Sequence, residues 1–347
     1  MASETVTKPK TAALDRLFSM ASRISIVAHI HPDGDAVGSS TALCSYLAAK
    51  RGKKDVRIFY DDQYPESLDF LCECYPITIA GEDPDAAADF ISGSDLIVCL
   101  DMNSFGRAGC MEKMLLDAKC RKVLIDHHLN PEESQFDLVF SETAISSASE
   151  LLFQVLKCMP EIDGDTAWLP AGCSRALMAG MTTDTNNFAN SVFPSTLMMA
   201  SELLAAGVDR DDLIQRLYNS CRENRVKAIA HILDSKLVIS DKGYSYMILD
   251  KETAGRFGLR EGELEGMVNI PLTIAKVKLS VYLREDDGYY RVSLRSKKGV
   301  SANRLASEFF NGGGHEQAAG GRLYFPKDIP SKEMAAEYIE KTAPTVL

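Results

Sequence analysis

The stretch KVLIDHHLNP, residues 122–131, decides how the chain folds. Val123, Leu124 and Ile125 form a short apolar run of the kind buried on both faces of a parallel sheet. The run ends on three titratable groups, Asp126, His127 and His128, where a strand end ordinarily passes into turn residues. Two earlier runs end in a similar way: ISIVAH (24–29) on His29 and DLIVCLD (95–101) on Asp101. Helical stretches lie between them, at Ala36 to Lys50 and Ala108 to Lys119, giving a βαβ alternation. Ligands of open α/β sheets bind beyond the carboxyl ends of the strands, so the polar ends are expected to converge on one edge.

The first end continues as HIHPDGDAVGSS (29–40), where Pro32 and Gly34 set a tight turn that can aim Asp33 and Asp35 at neighbouring points. Asp35 also has the position of a helix N-cap, a reading that leaves Asp33 and His29 unexplained. A further acid, Asp184, follows a Met- and Ala-rich helical segment in MAGMTTDTNNF. The candidate ligands are therefore His29, Asp33, Asp35, Asp101, His127 and Asp184. Four carboxylates at one edge repel one another and demand cations. Oxygen donors with imidazoles and no thiolate suit manganese, with magnesium or cobalt as alternatives, rather than structural zinc. Two ions sharing one carboxylate, about 3.5–4 Å apart, make a hydrolytic centre that activates water and neutralises phosphoryl charge. Asp101, a lone acid after a central-looking strand, is the expected bridge.

Length and charge bound the alternatives. The chain has 347 residues, 46% of them hydrophobic, and a formal net charge of −11. Two domains with ordinary cores are expected, and no global basic field recruits long duplex DNA or an anionic membrane. The nine cysteines include no Cys-x-x-Cys pair, and several sit in apolar runs, as reduced core cysteines of a cytoplasmic protein do. MASETVTKPK has no apolar signal core, and nothing later approaches a membrane span, so a soluble, unexported protein is expected. A homodimer is among the assemblies considered.

The second half reads differently. TLMMASELLAAG (196–207) and IQRLYNS (214–220) have apolar helical faces, with Gly207 placed to end the first. They form part of a helical linker, 192–237, between a catalytic domain, 11–191, and a smaller domain, 238–345. YSYMILD, AKVKLSVYLRE and YYRVSLRS read as strands, and EDDG as the hairpin turn between the last two. Lys276 to Arg304 carries eight basic residues and three acids. Arg295 and Ser296 end a strand before a glycine-containing loop, a natural place for a phosphate. In NGGGHEQAAGG (311–321), Gly312, Gly313 and Gly314 imply a close approach of the main chain. Their amides could form an anion-binding concavity with His315 as a further donor. No dinucleotide-binding or Walker motif is present.

Together these motifs resemble the DHH phosphoesterase superfamily. Asp126-His127-His128 is similar to the motif that names it, HIHPDGDAVGS, LDMNSFGRAG and TTDTNNF to its other metal-binding motifs, and NGGGHEQAAGG to the signature of the DHHA1 domain. The resemblance runs from about Leu17 to Phe325 and points to the nanoRNase and pAp-phosphatase branch. It implies an N-terminal parallel-sheet domain with flanking helices, a smaller α/β domain with a mixed sheet, and an active-site cleft between them. His29, Asp33 and Asp101 would bind one ion; Asp35, Asp101, His127 and Asp184 would bind the other. Asp126 would orient His127, and His128 would face the phosphate as donor or general acid. Arg107, Arg295, Ser296, the glycines and His315 would bind substrate. His31, Asn186 and Asn311 depart from the family pattern. The activity implied is hydrolysis of very short oligoribonucleotides, with pAp as a second substrate. A linear or cyclic dinucleotide phosphodiesterase and a non-catalytic nucleotide-binding module are the competing readings.

Overall fold

A computed structural model describes residues 4–260 and 262–347, so Met1 to Ser3 of the N-terminal stretch lie outside the described residues. The chain forms two compact units, one running to Ser220 and the other starting at Cys221.

Six parallel strands organise the first unit: β1 (Arg23–Val27), β2 (Asp55–Tyr60), β3 (Ile77–Ile79), β4 (Leu96–Leu100), β5 (Arg121–Asp126) and β6 (Leu138–Ser141). Their order is β3-β2-β1-β4-β5-β6. The central runs are buried on both faces, as their unbroken apolar sequence requires. The chain winds outward from β1 in one direction and from β4 in the other, so the order reverses between these two strands. That reversal is the switch point at which such sheets bind ligands. Val27 lies opposite Cys99 and Leu100 opposite Ile125, so β1, β4 and β5 leave the sheet along one edge.

Helix Gly34–Arg51 packs on helix Ala171–Asp184. A Cβ at Gly38 would stand 2.7 Å from the Ala176 carbonyl oxygen, and one at Gly34 would stand 2.3 Å from Thr183 Oγ1. Glycine thus permits the close approach that brings the last turn of one helix, ending at Asp184, to the first turn of the other. The expected helix over Ala108 to Lys119 is shorter. A 3-10 segment, Phe105–Met111, kinks at Gly109 (φ 63°), and the α-helix is Glu112–Asp117. The cause lies outside that stretch: the Cys110 amide donates to Asp61 Oδ1 at 2.9 Å, and a Cβ on Gly109 would overlap the Asp61 carboxyl.

Between residues 192 and 237 the helices divide. Pro194–Ala205 and Arg210–Tyr218 bury Met199, Leu203 and Leu213 in the first unit's core, whereas Glu223–Ser235 places Ile232 in the second unit's. Gly207, at φ 93°, follows the first of these helices.

The second unit holds β7 (Val238–Ile239), β8 (Tyr244–Leu249), β9 (Leu279–Glu285), β10 (Tyr289–Ser296), β11 (Gly313–Gly314) and β12 (Ala318–Tyr324), in the order β11-β12-β10-β9-β8-β7. Only the β8–β9 pairing is parallel, so the sheet is mixed. Residues of β10 alternate between half-buried and buried, and Val292 and Leu294 pack with Leu305 and Ile339 of the helices Ala302–Phe309 and Ala335–Thr342. Two α/β domains, the first parallel and the second mixed, are the expected architecture. Among the described residues, no helix is long and apolar enough to cross a membrane.

Candidate metal centre

All six candidate ligands meet at the β1/β4 switch point of the first unit. Asp101 stands at their centre, almost wholly buried and in the left-handed region (φ 56°), a strained conformation for a non-glycine residue at a strand end. Its two oxygens face different groups. Oδ2 lies 3.3 Å from His29 Nε2, and Oδ1 lies 3.3 Å from His127 Nε2. His29 Nε2 is also 3.9 Å from Asp33 Oδ1, while His127 Nε2 is 3.8 Å from Asp35 Oδ2 and 3.6 Å from Asp184 Oδ2. His29 is oriented by a 2.7 Å contact of Nδ1 with the Ile30 carbonyl, in which only a protonated nitrogen can donate. That turns Nε2 towards the carboxylates of Asp101 and Asp33.

Such an arrangement requires positive charge. Asp101 Oδ1 is buried and, despite the nearby imidazole, makes no hydrogen bond of acceptable geometry. Burial opposes ionisation of Asp101, yet His127 and His29 outweigh it and hold the carboxyl well below its usual range. Asp35 moves the other way, because burial and the charges of Asp101 and Asp184 push it well above that range. Burial disfavours the charged ring of His127, but Asp184, Asp101 and Asp35 prevail and push it up to about 10. His29 is raised for the same kind of reason, by Asp101 and Asp33 acting against burial and Arg107. Divalent cations meet this demand for positive charge with these donors. Two groups, His29–Asp33–Asp101 and Asp35–Asp101–His127, each bring one ligand atom per residue within 4.8 Å of the others. The donor set fits hard divalent ions.

One expectation needs correction, that Asp126 orients His127, and two local readings gain detail. The N-cap of helix Gly34–Arg51 is Asp33, whose Oδ1 accepts from the amides of Asp35 and Ala36. Asp126 does not hold His127. Its Oδ1 is 2.7 Å from His128 Nδ1, and its Oδ2 accepts from the His128 amide at 3.1 Å. Residues two apart on extended chain share a face, so Asp126 and His128 pair while His127 turns towards Asp35, Asp101 and Asp184; His128 Nδ1 also stands 3.6 Å from Asp101 Oδ1. Burial and Arg107 lower the pKa of His128 even though Asp126 pulls it up, opposite to the outcome at His127. Finally, the glycines of the second unit approach their own sheet. A Cβ at Gly312 would lie 2.0 Å from the Gly320 oxygen, and one at Gly314 (φ 146°) would lie 2.6 Å from that of Ala318. Pairing of β11 with β12 accounts for both.

The remaining residues are placed as follows. Arg107 lies in the kinked 3-10 segment, and its carbonyl accepts from the Ile30 amide at 2.8 Å, which ties it to the His29 loop. Arg295 and Ser296 end β10; Arg295 is half-buried, and the Ser296 hydroxyl donates to the Val300 carbonyl at 2.6 Å. Gly313 and Gly314 form β11, and His315 begins the turn into β12, with its amide donating to Ala318. The departures His31, Asn186 and Asn311 all have positive φ (53°, 47° and 48°). Asparagine is among the few side chains that tolerate this region, so Asn186 and Asn311 keep a glycine-like backbone.

One set of groups had no side-chain motif to announce it. The Ala148 amide donates to Asp35 Oδ2 at 2.6 Å, and the Ser149 amide to Oδ1 at 2.9 Å. Both come from the first turn of helix Ala148–Lys157. The available signal, Ser147 with Glu150 three residues on, marks a helix start and no more.

Fold and cluster together define a two-domain metal-dependent hydrolase of phosphoric esters. The sequence matches the DHH family N-terminal domain over residues 23–181 and the DHHA1 domain over residues 242–340, and the chain belongs to the DHH phosphoesterase family. It is similar to the bifunctional oligoribonuclease and PAP phosphatase NrnA of Bacillus subtilis (strain 168), with 28% identity over 317 residues, 90% of this chain and 92% of that protein. The crystal structure of an exopolyphosphatase-related protein from Bacteroides fragilis superposes with a TM-score of 0.87 at 33% identity, covering 99% of this chain and 97% of that one. The cyclic-di-AMP phosphodiesterase GdpP of Geobacillus thermodenitrificans is 26% identical over 90% of this chain but only 46% of its own length.

Proposed function

We propose that this chain hydrolyses very short oligoribonucleotides to mononucleotides, and pAp to AMP, with two divalent ions, manganese foremost. The observation that carries the two-ion reading is Asp101, with one oxygen toward His29 and the other toward His127. His29, Asp33 and Asp101 would hold one ion, and Asp101, Asp35, His127 and Asp184 the other. When bound, the ions supply an acidified water and neutralise charge on the phosphoryl oxygens.

The chain's own residues do the rest. Asp126 fixes the ring of His128 through Nδ1, so Nε2 is the atom presented to the phosphate for proton exchange or a hydrogen bond. Arg107, anchored by its carbonyl to the His29 loop, neutralises a phosphate oxygen. Arg295, Ser296, His315 and the turn at Gly312, Gly313 and Gly314 are the residues assigned to the nucleotide end. Similarity to NrnA over nearly the full length of both proteins supports this substrate class, whereas the cyclic-di-AMP phosphodiesterase GdpP is matched over less than half of its length. Nine unpaired cysteines support a reducing compartment such as the cytoplasm.

The test compares turnover on a diribonucleotide, a 20-mer, pAp and a cyclic dinucleotide, with manganese present. Fast release of mononucleotide from the dimer and slow release from the 20-mer are expected. Turnover of the cyclic dinucleotide above that of its linear product would replace this reading with a cyclic phosphodiesterase.

A further inference from the structure

The residues that hold the candidate ligands are themselves held, and one such support is unusually deep. Glu150 sits in the first turn of helix Ala148–Lys157 with no accessible surface. Its two oxygens differ: Oε1 is buried without a hydrogen-bond partner among the described residues, so the carboxylate is held through Oε2. Glu150 Oε2 accepts three hydrogen bonds: from the Ser146 amide at 3.1 Å, the Ser146 hydroxyl at 2.5 Å and the Thr196 hydroxyl at 2.7 Å. Thr196 Oγ1 in turn accepts from the Phe193 amide at 3.1 Å. The side chain therefore pins the segment entering its own helix to the start of helix Pro194–Ala205.

What this pins is the pair of amides, Ala148 and Ser149, that grip the two oxygens of Asp35. Asp35 is fully enclosed, and the space around it is filled: a Cβ on Gly180 would stand 2.0 Å from Ser149 Oγ and 2.8 Å from Asp35 Oδ1. A shift of the helix start by a few tenths of an ångström would therefore turn the Asp35 carboxylate. Asp35 also belongs to only one of the two ligand groups, so the effect of such a shift is confined to one ion.

We propose that Glu150 is a positioning residue for one metal position: it locks the start of helix Ala148–Lys157 so that two backbone amides aim Asp35 at the ion shared with Asp101 and His127. The inference rests on the two-ion reading above. It differs from a general contribution to stability in being selective for one ion. Loss of an outer partner of a metal ligand ordinarily weakens the metal about 10–100-fold.

The experiment titrates manganese into metal-stripped full-length protein by calorimetry, for wild type, Glu150→Ala and Thr196→Val. Far-UV circular dichroism and the apo melting temperature are recorded alongside. Thr196→Val removes one donor to Glu150, nearly preserves volume, and keeps the inference testable if Glu150→Ala folds poorly. In both variants the ion held by Asp35 is expected to lose affinity, about 10–100-fold in Glu150→Ala and less in Thr196→Val, with the ion held by His29 and Asp33 within threefold. Turnover should recover at raised manganese. Wild-type affinity for both ions in either folded variant overturns the proposal, as does equal loss of both ions. A wild-type protein that binds no manganese overturns the two-ion reading itself, and this inference with it.

Discussion

Replacing Asp101 with asparagine separates the two ion positions. Asparagine keeps the shape, but it removes the charge and offers one acceptor oxygen where aspartate offers two. The group facing His29 would then be left with a single carboxylate, Asp33, whereas the group facing His127 keeps Asp35 and Asp184. The amide nitrogen must also meet one of two imidazole nitrogens that stand 3.3 Å from the present oxygens. Asp101→Asn is therefore expected to bind one manganese in place of two, and the ion lost is the one shared by His29 and Asp33. A missing ion removes charge compensation worth several kcal/mol at the transition state. With about 1.4 kcal/mol per tenfold, that is a fall in turnover of roughly a thousandfold or more. Calorimetric stoichiometry and steady-state hydrolysis of a diribonucleotide measure the two effects on one sample. Turnover within tenfold of wild type, or two ions still bound at wild-type affinity, would refute the bridging role.

Further outcomes follow from the same geometry. His127→Ala should weaken metal binding, whereas His128→Ala should lower turnover and leave metal affinity nearly unchanged, because His127 faces the acids and His128 is paired to Asp126; equal metal loss in both variants counts against this division. Arg295→Ala and His315→Ala should each slow dinucleotide hydrolysis about ten- to a hundredfold, the worth of one charge-assisted contact, and spare a simple aryl phosphodiester; an unchanged ratio of the two rates removes both residues from the substrate site. In the second unit, burial opposes ionisation of Asp250, but the Lys236 ion pair and the Thr253 hydrogen bonds hold its pKa at about 2. A carboxyl lowered in the fold stabilises above its unfolded pKa, near 4, and that contribution is lost as pH falls from there through about 2. Asp250→Asn should thus cost about 1 kcal/mol at pH 7, after discounting for solvent screening, and little near pH 2; an equal cost at both, by denaturant titration, would dismiss the ion pair as its source.

How much of this was legible in the sequence depended on how each feature is encoded. Strand ends are local: an apolar run closing on His29, Asp101 or Asp126 predicts both a buried strand and the edge at which its polar end emerges. The partner of Asp126 also follows from period-two geometry, although the family resemblance pointed to His127 instead. The break at Gly109 was not legible, because its cause is the Asp61 carboxyl on a different segment. Nor was the grip on Asp35, since backbone amides make it across 113 residues, and any side chain at Ala148 would carry the same N–H. The glycines at 311–321 were legible as a close approach. What they approach is a neighbouring strand, whose pairing lies in the three-dimensional fold.

The most direct test of the account is a manganese titration of metal-stripped protein with hydrolysis of a diribonucleotide as the readout. Mononucleotide should be absent in the stripped protein and appear only as the second ion per chain is filled, with half-occupied protein nearly inactive. Full turnover at one ion per chain, or no mononucleotide at any manganese concentration, would contradict the two-ion centre built around Asp101.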